Sequence, residues 1–140
     1  AVAASADGRW VATAGPRAIA LDDLAGGARR ALAPERGDVV ALAVAADGRW
    51  LAVGTSTGEI ELRAVADGAV RARLRGHHHR VTSVQFVAGA LISTSGDGTL
   101  LRFQLDAVTA APAALVAAAT ARWQLTLADV APPAEVPSPR

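Results

Sequence analysis

The stretch Ala6-Asp7-Gly8-Arg9-Trp10 returns unchanged as Ala46-Asp47-Gly48-Arg49-Trp50, forty residues later. A third copy has lost its Asp-Gly turn and shrinks to Ala88-Gly89-Ala90, yet the register resumes. Leu51 aligns with Leu91, Gly58 with Gly98, Ile60 with Leu100 and Val65 with Leu105, all forty apart. In the first copy Ile19, Leu21 and Leu24 fill the same slots after a one-residue deletion. Three anchors at one period signal a stack of like units, each of which needs its neighbour to bury an apolar face.

Inside each unit the pattern is of short strands joined by turns. Val81, Ser83, Gln85 and Val87 alternate with Thr82, Val84 and Phe86; Leu91-Ile92-Ser93-Thr94-Ser95 is short and β-branched and ends at Gly96-Asp97-Gly98. An Asp-Gly pair between two such runs predicts a hairpin, because Gly accepts the positive φ of a tight turn. Thr99 to Leu105 is the next strand. The middle unit repeats the pattern with Val39 to Val44, Trp50 to Thr55, a turn at Ser56-Thr57-Gly58, Glu59 to Val65, and Val70 to Leu74 after Asp67-Gly68. Four short strands per forty residues predict antiparallel meanders, the blades of a propeller.

The run Leu74-Arg75-Gly76-His77, followed after three residues by Val81-Thr82-Ser83-Val84-Gln85-Phe86, resembles the opening of a WD40 repeat. Leu91 to Leu105, with Asp97-Gly98-Thr99 between strands, resembles its second half. The resemblance spans about residues 1–106 and is most specific in the third unit. The Trp-Asp dipeptide that names the family is replaced by Asp22-Asp23, Arg63-Ala64 and Phe103-Gln104, and Gly-His occurs once, at Gly76-His77. The resemblance implies an all-β partial β-propeller of about three four-stranded blades (about 1–32, 33–74 and 75–106). A helix and a strand would follow over 107–130, then a Pro-rich disordered tail over 131–140. It also implies a structural relay in which His77 bridges Asp97 and Ser93, with Phe103 in place of the usual tryptophan donor. Ser93, His77 and Asp97 are also the residue types of a nucleophilic triad, but the family places them against their own blade and not in a cleft with an oxyanion hole.

Other candidates have plainer readings. In His77-His78-His79, consecutive side chains of an extended loop point alternately, and no Asp, Glu or Cys within three residues offers a third ligand, so no metal is expected. Arg71, Arg73 and Arg75 share one face of an outer strand, with Arg29-Arg30 on the equivalent strand one unit earlier. Charge on an unpaired sheet edge guards against aggregation; an acidic or phosphate-bearing partner is the alternative. Trp10 and Trp50 are assigned to the inter-blade core. Thr109 to Ala121 is Ala-rich with Pro112 near a helix start, and Trp123, Leu125 and Leu127 alternate as one more strand. In WD-type rings the final blade is often completed by a strand from the other terminus, which is where a partner for the Thr99 to Leu105 strand is expected.

With 51% hydrophobic residues the chain as a whole is not disordered, and a net charge of +1 excludes a strongly basic nucleic-acid binder. No aromatics interleave with the arginines, so the single-strand nucleic-acid pattern is also missing. The absence of cysteine excludes disulfides and thiolate chemistry. The longest uncharged stretch, Ala107 to Ala121, is too short for a bilayer span of ~20 residues, so no membrane partner is expected and a cytoplasmic setting is. Ala fills about a quarter of the positions, and Lys, Asn, Tyr and Met are absent; this reads as a GC-rich bacterial sequence and as a piece of something larger.

Propellers close with four to eight blades, and three would leave two apolar faces open. The expected function is therefore a non-catalytic protein-interaction scaffold, the C-terminal arc of a WD40-like propeller in a bacterial signalling or sensor protein. Its partner would be another protein or the remainder of its own ring, and no cofactor is expected. Incoming loops and hairpin tips of one face supply the candidate partner surface: Arg17, Arg36, Asp38, Thr57, His79 and Arg80. A subunit that closes as a homodimer is the alternative. A propeller hydrolase is a third reading, but the first strands Val39–Val44 and Val81–Val87 carry no charged residue for its chemistry.

Overall fold

Period-two patterning and Gly-containing turns fold the chain into three antiparallel sheets, described in a computed structural model for residues 1–105 and for the short strand Leu125–Thr126. The first sheet comprises β1 (Val2–Ala4), β2 (Trp10–Ala14), β3 (Ile19–Asp23) and β4 (Ala28–Leu32). The second comprises β5 (Val39–Val44), β6 (Trp50–Thr55), β7 (Ile60–Ala64) and β8 (Val70–Leu74). The third comprises β9 (Val81–Val87), β10 (Ala90–Ser95), β11 (Thr99–Gln104) and β12 (Leu125–Thr126). Each is a meander in chain order. The forty-residue period appears directly in the pairing: Val53 opposes Glu61 where Ser93 opposes Leu101, and Leu51 opposes Arg63 where Leu91 opposes Phe103.

The third sheet corrects one expectation. Its fourth strand comes from the chain's own Leu125–Thr126, paired as Thr99↔Thr126 and Leu100↔Leu125. The N-terminal strand is already committed, since Val2 to Ala4 pair with Thr13 to Val11 in the first sheet. The helix expected after Thr109 and the Pro-rich tail lie outside the described residues.

Apolar side chains between the sheets form two layers. Ala12, Ile19 and Leu21 pack on Val39, Leu42, Leu51, Val53 and Val65; Ile60, Leu62, Ala72 and Leu74 pack on Val81, Val84, Leu91, Leu101, Phe103 and Leu105. Each fully buried Leu or Ile contributes roughly 1.5–3 kcal/mol, so the joints between sheets carry the stability. The first strands run side by side, β1 against β5 and β5 against β9. Small residues permit that convergence: a Cβ on Gly54 would lie 2.7 Å from Val81 Cγ1 and 3.2 Å from Ala41 Cβ.

The register of Leu24 matches Val65 and Leu105, since their N–H groups donate to the carbonyls of Arg9, Arg49 and Gly89 in turn. Its burial does not. Val65 is 1% and Leu105 6% exposed, whereas Leu24 is 63% exposed. Each of these residues covers the joint with the preceding sheet, and before the first sheet the described residues supply none. The expectation that Leu24 fills the same core slot therefore holds for position only.

Candidate functional site

The third sheet positions His77 just before β9, with its side chain almost wholly buried. Its Nε2 lies 2.7 Å from Ser93 Oγ and its Nδ1 2.8 Å from Thr99 Oγ1. The Thr99 hydroxyl donates to Asp97 Oδ1 at 2.5 Å, so it accepts from His77, whose neutral ring carries its proton on Nδ1. Ser93 then donates to Nε2. The relay runs Ser93 to His77 to Thr99 to Asp97, and Thr99 is the member that sequence reasoning missed. The direct His77–Asp97 bridge is corrected to a 3.8 Å approach. Asp97 is occupied by the backbone N–H groups of His78 (2.8 Å) and Thr99 (2.9 Å).

Burial pushes the His77 pKa below its ordinary 6.5, against the pull of the Asp97 charge. Burial of Asp97 opposes its ionisation, but the Thr99 hydroxyl, the two backbone N–H groups and His77 outweigh it and hold its carboxyl well below the usual range. Ser93 is 1% exposed, so no acyl substrate reaches its hydroxyl in this arrangement. The relay fastens the loop into β9 to β10 and to the β10–β11 turn. Among the described residues no three His, Asp or Glu side chains converge on a possible metal position.

The second sheet solves the same problem with charge. Glu61 and Arg63 occupy the positions of Leu101 and Phe103, and their side chains are 1% and 6% exposed. Arg63 donates to Glu61 Oε2 from Nε (2.9 Å) and Nη2 (2.5 Å), to Ala33 O (2.7 Å) and to Gly68 O (3.1 Å). Glu61 Oε1 accepts the Glu35 N–H at 2.7 Å. This pair ties the loop leaving the first sheet to the outer half of the second. Opposite charges two apart on a strand whose flanks are Ile60 and Leu62 are the signal that could have revealed it.

The candidate partner residues come together on one rim, and all six are exposed. The β2–β3 hairpin bearing Arg17 meets the loop into β5, where Val39 N–H donates to Pro16 O at 2.6 Å. That loop carries Arg36 and Asp38, and it is joined to the β6–β7 hairpin by Ser56 N–H to Asp38 O (2.8 Å) and Asp38 N–H to Ser56 Oγ (3.0 Å). The hairpin, with Thr57 at its tip, presses on the loop into β9. Gly58 there has φ +85°, and a Cβ would stand 2.8 Å from the carbonyl oxygens of both His77 and His79. Ser95 Oγ closes the far end on His79 O (2.9 Å) and Arg80 O (3.0 Å).

Most of the arginines assigned to the outer strands are neutralised from within: Arg29 by Asp22 (3.4 Å), Arg71 by Asp67, Arg73 by Glu35, and Arg75 by Glu59 (2.8 Å), while Arg30 donates to Val65 O (2.7 Å). On the opposite rim the repeated Asp-Gly-Arg-Trp segments line a groove of about 650 Å³. Trp10 and Trp50 are half-buried, packed on the two apolar layers and bordering that groove, which revises their assignment to the core alone. Arg9 lies 5.2 Å over the Trp10 ring and grips Asp23 through Nε (3.2 Å) and Nη2 (2.9 Å). Arg9 first, then the N–H groups of Gly26 and Ala25, lower the Asp23 pKa to about 2, against a smaller opposing effect of burial.

No protein-family model matches the chain, and no curated protein matches it. Among solved structures it is similar to a chain in the crystal structure of the mitotic checkpoint complex, at 24% identity and a TM-score of 0.69, covering 74% of this chain and 32% of that one. It is similar also to the WD40 repeats of RRP9, at 19% identity and a TM-score of 0.67, covering 74% and 34%. U3-55K matches at 21% identity and a TM-score of 0.65, covering 74% and 33%.

The fold is that of WD40-repeat propeller blades. The chain spans about a third of the length of the solved chains it matches. Its third blade carries the His77 relay beside a buried Phe103, and its second carries the Glu61–Arg63 pair at the positions of Leu101 and Phe103.

Proposed function

We propose that the chain is an arc of a WD40-type propeller that serves as a non-catalytic scaffold for protein–protein interaction, with the rim of Arg17, Arg36, Asp38, Thr57, His79 and Arg80 as its partner surface. The observation that carries this reading is the rim itself. Loops from three successive blades are joined into one exposed surface, by hydrogen bonds between the first and second and by the close packing of Gly58 on the loop into β9 between the second and third, so a partner meets a preorganised face and little ordering entropy opposes binding. β5 and β9 bring no charged residue to the inner edge of the arc, which supports a scaffold over a hydrolase. The mitotic checkpoint complex, an assembly by its name, includes a chain of this fold. An Ala-rich composition whose basic residues other than histidine are all Arg fits a GC-rich bacterial sequence, and a signalling or sensor protein is the setting that the propeller resemblance suggests for such an arc.

Self-closure as a homodimer has less support. It would set the first blade's open face, with Val2, Val11 and Leu24, against the outer face of the third blade. There Ser83, Gln85 and Arg102 stand where the second blade presents Ala41, Ala43 and Leu62 to its neighbour. A further blade of the same kind fits the apolar face better.

The test is a photo-crosslinking residue placed in cells at Thr57 on the rim or at Arg71 on the outer strand. The Thr57 probe should capture a partner protein, and Arg36→Glu with Arg80→Glu should abolish the capture. If the Arg71 probe captures the partner and rim reversal changes nothing, the proposed surface is wrong.

A further inference from the structure

We infer that the rim recognises an acidic protein segment rich in Asp and Glu. This rests on the rim being the partner surface and adds the chemistry of what it takes. Six of the described arginines, Arg9, Arg29, Arg63, Arg71, Arg73 and Arg75, are ion-paired with acids of the chain itself. Of the other six, which make no ion pair among the described residues, Arg17, Arg36 and Arg80 lie together on the rim, while Arg30, Arg49 and Arg102 lie away from it.

The acids nearby do not cancel them. Glu35 is held by Arg73; Glu59 is nearly buried, with Oε2 on Arg75 (2.8 Å) and Oε1 3.6 Å from Arg73 Nε. Asp97 spends its oxygens on His78 and Thr99. Asp38 is left as the rim's exposed carboxylate without an ion pair among the described residues, set against three arginines. The rim therefore presents uncompensated positive charge on a molecule whose net charge is only +1.

Between the β6–β7 hairpin and the loop into β9 this surface sinks into a groove of about 350 Å³, lined by Arg36, Thr57, Gly58, Glu59, Arg75 and His77. Arg36 is the uncommitted donor there. A guanidinium binds carboxylate through two parallel N–H groups; the Thr57 hydroxyl beside it is spent on Thr55 Oγ1, whose own proton goes to Glu59 O. The loops 15–18, 33–38, 56–58, 75–80 and 96–98 contain no Trp, Phe or Tyr. They lack the large aromatic rings on which single-stranded nucleic acid stacks most strongly, which favours an acidic peptide as the polyanion.

The probe is a fluorescein-labelled peptide of alternating Glu and Gly, titrated against the full chain by anisotropy. Its Gln–Gly counterpart and a labelled single-stranded oligonucleotide of equal charge are run alongside. The Glu peptide should bind with an affinity that falls as salt rises. Arg36→Gln with Arg80→Gln should weaken it about tenfold, while Arg49→Gln with Arg102→Gln, unpaired arginines away from the rim, should leave it unchanged. Circular dichroism melts confirm that each variant is folded. The inference is overturned if both double variants weaken binding alike, if the Gln peptide binds as well, or if the oligonucleotide binds more tightly. Loss of Glu-peptide binding with the Thr57 crosslink intact defeats the acidic chemistry alone; loss of both defeats the partner surface as well.

Discussion

Thr99 shows how one hydroxyl sets the direction of a buried relay. By donating to Asp97 it forces the His77 proton onto Nδ1 and leaves Nε2 to accept from Ser93. Folding lowers the His77 pKa below 6.5, so the relay's contribution is full above 6.5 and is lost as pH falls through the depressed folded value. Urea midpoints measured across this range should fall on acidification in the native chain, and His77→Asn should remove that slope. Asp23 and Asp97 act in a lower window, since both are held below 3.8 when folded and their contribution fades only under strong acid. The Glu61–Arg63 pair gives a second residue-scale prediction. Removing one member strands a buried charge and should cost about 3–5 kcal/mol, whereas replacing both with apolar residues is often near neutral. Glu61→Leu alone should therefore destabilise more than Glu61→Leu combined with Arg63→Phe, which copies Leu101 and Phe103 of the next blade. Denaturant titrations of the two variants decide it.

At the scale of elements, turns and alternation were legible because each rests on local chemistry. The Asp-Gly pairs, the Ser56-Thr57-Gly58 turn and the apolar phase of β5, β6 and β10 can be read directly from the chain. The spacing of Glu61 and Arg63 signals their pairing, but what that pair holds, Glu35 N–H and Ala33 O, and the His77 that Thr99 accepts from, lie in loops distant in sequence that no local pattern encodes. The final pairing of β11 with β12 escapes for a related reason: Leu100 and Leu125 meet in one sheet across twenty-five residues of chain, and the period ends at Leu105. The β9–β10 hairpin shows what the loss of Asp-Gly cost. Ala88 and Gly89 form a two-residue turn with φ of 44° and 76°, the type I′ pattern, which places an alanine in the left-handed region. Ala88→Asn should stabilise the chain by about 0.5–1 kcal/mol, read as a raised thermal midpoint.

For the molecule as a whole, identical positions in successive blades meet different surroundings. Val65 and Leu105 are sealed by the preceding blade, while Leu24, 63% exposed, and Val2, 71% exposed, face outward on the first. The repeat made the equivalence legible, but burial depends on what stands alongside. Exposed apolar area of this kind marks an interaction surface, in keeping with the proposed arc that binds a partner on its rim and packs a further blade against its first sheet. Light scattering after size exclusion, on the native chain and on Val2→Ser with Leu24→Ser, tests that claim most directly. The account predicts no discrete species at twice 14.2 kDa, and self-association of the native chain that the double substitution suppresses. A discrete dimer of constant mass across concentrations, unchanged by the substitutions, would contradict it.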